Sequence, residues 1–388
     1  MNYRNIYIFI FMLIFMAACV TPYYPDITKY ENLFVVDGEL TNLTGPYQVK
    51  LSRTCKYDGS IGGPVTGAKV KITDNTGSEV PLKEINSGEY STVDTIFRGI
   101  PGKSYKLQIR VNDDIFETGF ETLTIPAPID KVYWDYKQQD KNTPKRVEIL
   151  IDTQDPTNNT RYYGWEYEET WKFRVPIDFY KKPEWKTCYK SDSNNFYILG
   201  TSIERNSDKI EGQPLQFIDE TTNRLFIRYT ILTKQFSFTE KTYKYFKDLI
   251  KLNHDQGTLF DATPYSLVGN IKNLNNKDVP VLGYFVVAGV SQKRIFIDRL
   301  ELPEGFNPTD GFNDCLQRYA RVDTTLKDFR LDRTVDSLMN VGYIIYQKSY
   351  MLLGPDRPGW QLDLAKPPCL NCTLTGESKI PYFWTEKK

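Results

Sequence analysis

The run Tyr105-Lys106-Leu107-Gln108-Ile109-Arg110-Val111 alternates polar and apolar side chains without interruption. Successive side chains of a β-strand point to opposite faces of the sheet, so this alternation predicts a strand with one buried face. Ala68-Lys69-Val70-Lys71-Ile72 has the same pattern, and turn-forming residues follow the two runs at Asn75-Thr76-Gly77 and Asn112-Asp113-Asp114. The pattern continues from about residue 33 to residue 124, which predicts a β domain.

Three glycine-containing segments of this region resemble the seven-strand sandwich of carboxypeptidase-regulatory domains: Gly67-Ala68-Lys69-Val70, Gly88-Glu89-Tyr90 and residues 99–105. We therefore expect residues 33–127 to form an immunoglobulin-like or carboxypeptidase-regulatory-like β-sandwich. Pro126-Ala127-Pro128 then marks a domain boundary, because proline cannot continue a central strand. A fragment that ends near Pro126 is expected to fold alone.

Residues 128–388 are predicted to form a larger β-rich domain with one or two helices, so the fold class is mostly β. Apolar and β-branched runs predict strands at residues 225–233, 281–290 and 341–347. A helix is expected near residues 238–253, because Ser237-Phe238-Thr239-Glu240 has the spacing of a capping box and apolar residues follow at helical intervals.

A further strand is predicted at residues 163–175, where large aromatic residues alternate with polar ones. In one interpretation the aromatic face is the core beneath a sheet. In the other it is a stacking platform for sugar rings, and Trp165 and Trp171 are then the candidate ligand-binding residues. We expect both tryptophans to be core, because an exposed row of large aromatics is rarely tolerated without a partner.

The N-terminus is typical of a secretory signal peptide. Arg4 precedes an apolar run at residues 6–18, which is shorter than the roughly 20 residues that a membrane-spanning helix needs. Met16-Ala17-Ala18-Cys19 resembles a lipobox, in which cleavage precedes a cysteine that carries palmitate-type acyl chains. Residues 1–18 are therefore expected to be removed, and residues 19–32 to form a tether lipidated at Cys19, which anchors the chain to a membrane. The alternative is an ordinary secretory signal that happens to contain a cysteine.

The remaining cysteines fit an exported protein. In an oxidising compartment Cys188, Cys315, Cys369 and Cys372 predict two disulfides, with a four-thiolate zinc site as the alternative. Four cysteines allow three connectivities, and the sequence does not choose among them. A bridge across the C-x-x-C motif is strained, so Cys369 and Cys372 are each expected to reach a distant partner. Cys55 is expected to be a small buried side chain.

Composition and motifs favour binding over catalysis. The chain has 49 basic and 49 acidic residues, so no net field favours nucleic acid, and its single histidine excludes histidine-rich zinc sites. His254 beside Asp255 is interpreted as a helix-end residue rather than a general base. Glu166, Glu168 and Glu169 are interpreted as a solvated polar face rather than a glycosidase pair. No catalytic residue, metal or cofactor is therefore expected.

An ordered series of short motifs resembles a Bacteroidetes outer-membrane lipoprotein family known as domain of unknown function 4249. These motifs are Cys19, Val35-Val36-Asp37-Gly38, residues 47–53, Tyr229-Thr230-Ile231-Leu232, residues 260–264, Gly269-Asn270-Ile271, residues 281–285, Cys369-Leu370-Asn371-Cys372 and Phe383-Trp384. The resemblance extends over essentially the whole mature chain. It implies a lipoprotein encoded beside a TonB-dependent transporter, and it implies no known reaction.

We therefore expect a lipid-anchored protein of the cell outer membrane, on either its surface or its periplasmic face. Its expected role is that of an accessory subunit that captures ligand for a TonB-dependent β-barrel transporter. One alternative is a structural or assembly lipoprotein of the envelope without a small ligand. A further alternative is a hydrolase of exported polymers.

Overall fold

The computed structural model describes residues 32–54, 62–138, 143–177, 182–194, 196–254, 267, 269–312, 315, 318–323, 333–354 and 357–386. The predicted signal peptide, Cys19, nearly all of the predicted tether, Cys55 and Asp255 lie outside these residues.

Strands account for most of the regular structure. The first region contains β1 (Phe34–Leu40), β2 (Gln48–Arg53), β3 (Lys69–Asp74), β4 (Glu79–Asn86), β5 (Glu89–Thr92), β6 (Ser104–Val111), β7 (Asp114–Thr118) and β8 (Glu121–Thr122). The middle region contains β9 (Ile129–Lys137), β10 (Arg146–Gln154), β11 (Tyr162–Arg174), β12 (Thr187–Ser193), β13 (Ile198–Thr201), β14 (Lys209–Asp219), β15 (Arg228–Phe238), α1 (Glu240–His254), β16 (Ile271–Asn273), β17 (Val281–Val287) and β18 (Gly289–Asp298). The last region contains β19 (Arg318–Asp323), α2 (Arg333–Asn340), β20 (Ile344–Gly354) and β21 (Arg357–Ala365).

The first sheet has ten strands in the order β16-β7-β6-β3-β4-β5-β2-β1-β17, with β8 paired to β6. The two runs with the cleanest alternation are neighbours in it, since Val70 of β3 lies opposite Ile109 of β6. Both side chains are buried in one core, which also contains Ile271 and Phe285 from the two terminal strands of the sheet. The sheet thus encloses a single core in a sandwich-like arrangement, and the predicted mostly β fold class is confirmed.

Two strands of this sheet come from beyond residue 127. β16 pairs with β7, and β17 runs parallel to β1 over the whole length of β1. Gly283 of β17 has φ +86°, and a Cβ there would lie 1.9 Å from the carbonyl oxygen of Val36. Glycine is therefore required at this contact. The predicted boundary at residue 127 therefore does not coincide with a boundary of the first sheet. A fragment that ends near Pro126 lacks two strands of that sheet.

Two further sheets share a second core. One has the order β12-β11-β15-β18 with β13 beside β11, and the other has the order β14-β10-β9. Trp165 and Phe173 from β11 pack in this core with Ile149 of β10 and Ile231 of β15. The predicted strand at residues 163–175 is β11, the start of β15 overlaps residues 225–233, and residues 281–290 span β17 and the start of β18.

Helix α1 starts two residues later than the capping-box prediction places it. The Oγ1 atom of Thr239 accepts a hydrogen bond from the backbone N–H of Thr242 at 3.2 Å, so Thr239 is the N-cap. Ser237 still belongs to β15, and its Oγ accepts from the backbone N–H of Ala127 at 2.9 Å. His254 is the last residue of the helix.

Two disulfides hold the C-terminal segment. Cys188 of β12 bonds to Cys372, and Cys315 bonds to Cys369. The prediction of two disulfides is confirmed, with each cysteine of the C-x-x-C motif bonded to a distant partner. Because the four sulfurs are engaged in disulfides, the zinc alternative does not apply.

Candidate functional site

A cavity of about 760 Å³ lies between the outer face of the first sheet and helix α1. The alternation of β1 decides which of its side chains reach this cavity. Phe34 and Val36 point into the sandwich core, so Val35, Asp37 and Glu39 point to the opposite side, where they line the cavity.

The opposite wall of the cavity is aromatic. Tyr245 and Phe246 of α1 lie over Tyr284 of β17, with ring centroids 4.5 Å and 5.9 Å from it. The ring of Tyr197 lies 4.7 Å from Phe246 and 5.0 Å from Phe236. Each ring is held by several others, so this wall is formed before any ligand enters.

Three carboxylates from two different sheets face the cavity: Asp37 and Glu39 of β1, and Glu166 of β11. Glu166 lies directly opposite Lys234 of β15 in the strand register, and Asp37 lies directly opposite Lys50 of β2. Each lysine is also paired with another glutamate, so its charge is shared between that glutamate and the cavity carboxylates.

The two competing glutamates lie just outside the cavity. The Nζ of Lys234 is 2.7 Å from a carboxylate oxygen of Glu168, and the Nζ of Lys50 is 3.3 Å from a carboxylate oxygen of Glu89. In the part of the chain that the structure describes, the three cavity carboxylates form no ion pair within 4.0 Å.

The surroundings of these carboxylates favour their neutral form. Burial raises the pKa of Glu166 to about 7; the negative charge of Glu39 adds to this shift, and Lys234 opposes it. Burial also raises the pKa of Glu39, with Lys234 opposing the shift. The pKa of Asp37 is raised by burial against the opposing charge of Lys50, although this side chain keeps contact with solvent. Perturbed carboxyl groups in a preformed cleft are typical of a functional site.

The tryptophans proposed as an alternative ligand platform lie elsewhere. Trp165 is completely buried and its Nε1 donates to the side-chain oxygen of Gln235 at 2.9 Å. Trp171 is 6% exposed and belongs to the same core. A ring enclosed in this way has no free face for a sugar, so the structure agrees with the core interpretation for both residues.

The three glutamates of β11 have three different environments, so the interpretation of a single solvated face is wrong. Glu166 faces the cavity, and only Glu168 is mainly exposed. Glu169 is 1% exposed on the aromatic face, where it pairs with Arg224 at 2.8 Å and accepts from the hydroxyl of Tyr229 at 2.8 Å.

Sequence reasoning assigned no role to Asp37 or Glu39, although Asp37 belongs to a quoted motif. The signal was present in the strand Phe34–Leu40, because acidic residues occupy two alternate positions on the face that the core does not use. Their partner Glu166 could not be recognised in the same way, since it lies on a distant strand.

Two kinds of feature are absent from the described ranges. None of their helices is long and apolar enough to cross a membrane. Likewise, no group of three or more histidine, cysteine, aspartate or glutamate side chains in those ranges is placed to hold a metal ion.

A protein-family model described as Domain of unknown function (DUF4249) matches residues 20–294. The chain belongs to this family. Every wall of the cavity lies inside the matched DUF4249 segment, which runs from before β1 to within β18. The closing motifs quoted above, Cys369-Leu370-Asn371-Cys372 and Phe383-Trp384, lie outside it. Among curated proteins, none matches this chain.

Proposed function

We propose that this protein is an outer-membrane lipoprotein that captures a ligand as an accessory subunit of a TonB-dependent transporter. The observation that carries the capture role is the preformed cavity with an aromatic wall and three carboxylates, while the transporter association rests on what the family resemblance implies. Concave sites of ~300–1,000 Å³ with a few converging polar groups are the usual form of ligand sites.

One sequence feature and one structural feature support the envelope location within this proposal. The apolar run at residues 6–18 ends at Cys19 in a lipobox-like motif. The two disulfides are of the kind that persists in oxidising compartments.

The cavity also favours capture over a purely structural role in the envelope. Placing three carboxylates in a largely apolar cavity with only shared lysine charges nearby is costly, and a structural protein gains nothing from that cost. A ligand that supplies the missing interactions offsets it.

Affinity purification of the tagged full-length chain from detergent-solubilised outer membranes tests the transporter association. We expect a β-barrel transporter to co-purify in stoichiometric amount, identified by mass spectrometry. Recovery of other envelope proteins without a barrel would instead support the structural or assembly role.

The anchor is tested separately with Cys19→Ser. This variant should lose lipid labelling and either leave the membrane fraction or retain its signal peptide. A Cys19→Ser protein that stays in the membrane after cleavage of its signal contradicts the lipoprotein assignment.

A further inference from the structure

We propose that the cavity binds an organic cation, a ligand with an ammonium group on an apolar or aromatic body. Its ammonium would lie among Asp37, Glu39 and Glu166, and its body along the aromatic wall formed by Tyr197 and α1. This inference rests on the proposed capture role, and it specifies the chemical class of what is captured.

The first argument is the charge of the site. The lysines nearest to the three carboxylates, Lys50 and Lys234, are 3.3 Å and 2.7 Å from carboxylates that lie outside the cavity. Lys50 is also the lysine that lines the cavity, so an entering cation meets three carboxylates and one lysine whose ammonium is paired with Glu89. A cation favours the ionised form of these groups, whereas an anionic ligand would be repelled by those that are ionised.

The second argument is the position of Glu39. Glu39 is partly buried, and its side chain belongs to the lining of the cavity. It accepts no hydrogen bond from any described residue; the groups that act on it are the more distant charges of Lys234 and Asp37. A carboxylate that faces the cavity and accepts no hydrogen bond from these residues is available to a donor that comes from outside.

The third argument concerns the shape of the ligand. The aromatic wall and the apolar side chains of Leu249 and Ile250 leave much of the lining without polar groups. Such a surface suits an apolar body, and ring faces within about 6 Å of an ammonium add cation–π attraction. A small metal ion would use none of this surface, and the carboxylates do not form a metal-binding group among the residues described.

Three probes that differ only in their terminal group test the inference: 4-phenylbutylamine, 4-phenylbutan-1-ol and 4-phenylbutanoate. Calorimetric titration would use the full mature chain with Cys19→Ser, so that neither lipid nor detergent competes for the cavity. We expect the amine to bind at least about tenfold more tightly than the alcohol, because hydrogen bonds to charged groups are the stronger ones. The carboxylate should bind most weakly.

Two variants locate the effect. Glu39→Gln keeps the shape of the side chain and should weaken amine binding by about tenfold while leaving alcohol binding unchanged. The matched control is Glu211→Gln, at an exposed glutamate of β14 that pairs with Lys209 outside the cavity, and it should leave all three affinities unchanged.

Equal affinities for amine and alcohol in the parent chain would overturn the inference, as would no binding of any probe at millimolar concentration or an unchanged amine affinity in Glu39→Gln. The parent comparison needs no variant, so a poorly folding Glu39→Gln protein does not weaken the test. The outcome is also independent of the transporter association, which is measured on membranes without added probe.

Discussion

Glu169 lies on the face of β11 that otherwise carries aromatic rings. One of its carboxylate oxygens is 2.8 Å from the Nη1 atom of Arg224, and the other accepts from the hydroxyl of Tyr229. Arg224→Met should lower the free energy of unfolding by about 3–5 kcal/mol, because it leaves a buried carboxylate without its counter-charge. Urea denaturation measures the difference.

The matched control for Arg224→Met is Lys209→Met, which removes the cation of an exposed pair with Glu211. Such pairs contribute at most about 1 kcal/mol. The double variant Glu169→Gln/Arg224→Met should recover part of the loss, because no buried charge then remains. Equal effects of the two single variants would show that the Glu169–Arg224 pair is not buried in solution.

Glu166 couples the cavity to pH. Its pKa of about 7 in the folded protein lies above the ordinary glutamate pKa of 4.5, so the folded state binds more protons between these two values. The free energy of unfolding should therefore fall as pH rises through this window, with the contribution of Glu166 fully present below it. Glu166→Gln removes this contribution, so the variant should gain stability relative to the parent by up to about 3 kcal/mol as the pH rises.

Urea denaturation of both proteins at about pH 4.5 and about pH 8 checks this prediction. Glu211→Gln is again the control, since an exposed side chain keeps its hydration when the chain folds. A stability difference between Glu166→Gln and the parent that is the same at both pH values would contradict a buried, mainly neutral carboxyl at this position.

The alternation of aromatic and polar residues predicted which side chains of β11 lie in the core, but it did not predict the cavity. Trp165 and Trp171 are buried as their spacing indicates, because burial on one face of a strand is a local property. The environment of Glu166 depends instead on Glu39, which belongs to another sheet. No local pattern contains that charge interaction, so the polarity of Glu166 was interpreted as solvation.

At the scale of elements, the sequence located strands and the main helix, while their ends depended on tertiary contacts. Ser237 and Thr239 both have cap-forming side chains, and the spacing alone favoured Ser237. The structure uses the Ser237 hydroxyl to hold the segment at Ala127, which leaves Thr239 to cap α1. The backbone N–H of Ala127, which is distant in sequence, thus distinguishes two residues that local spacing treats alike.

A long-range disulfide attaches the C-terminal segment to the second core. Cys372 is bonded to Cys188 across 184 residues, and beside this bridge Tyr189 and Glu377 exchange two backbone hydrogen bonds of 2.8 Å. Cys188→Ser/Cys372→Ser should lower the free energy of unfolding by roughly 4–5 kcal/mol, because the unfolded chain regains the entropy of a long loop. Chemical denaturation of the oxidised proteins provides the measurement.

The comparison for this prediction is Cys315→Ser/Cys369→Ser, which opens a bridge with a separation of only 54 residues. Its loss should be smaller, by about 1 kcal/mol in the same loop-entropy treatment. If the shorter bridge proves the more stabilising one, native contacts rather than chain entropy dominate the contribution of these disulfides.

At the scale of the whole molecule, the first sheet is completed by strands that follow the second core in the chain. The alternation of residues 33–124 predicts a sandwich, but it contains no information about which strand lies beside β1. The structure gives that place to β17, whose residues Val281, Phe285 and Val287 join the first core. The same pairing presents Tyr284 and Val286 on the cavity side, so one strand contributes to both the sandwich and the site.

Gly283 tests whether this parallel pairing is integral to the fold. An added Cβ would meet the backbone of Val36 at 1.9 Å, so Gly283→Ala must push β17 away from β1 in addition to straining a φ of +86°.

Gly77 is the matched control: its φ of +89° imposes the same strain, but a Cβ there meets nothing within 4 Å. Gly77→Ala should cost about 1 kcal/mol, the strain of an L-residue in the left-handed region. Gly283→Ala should cost at least about 2 kcal/mol more, because two strands lose their contact and the core beneath them opens. Thermal and urea unfolding of the two variants would measure this difference directly. Equal losses would mean that β17 can leave the sheet without consequence, and that the sandwich of residues 33–127 is independent after all.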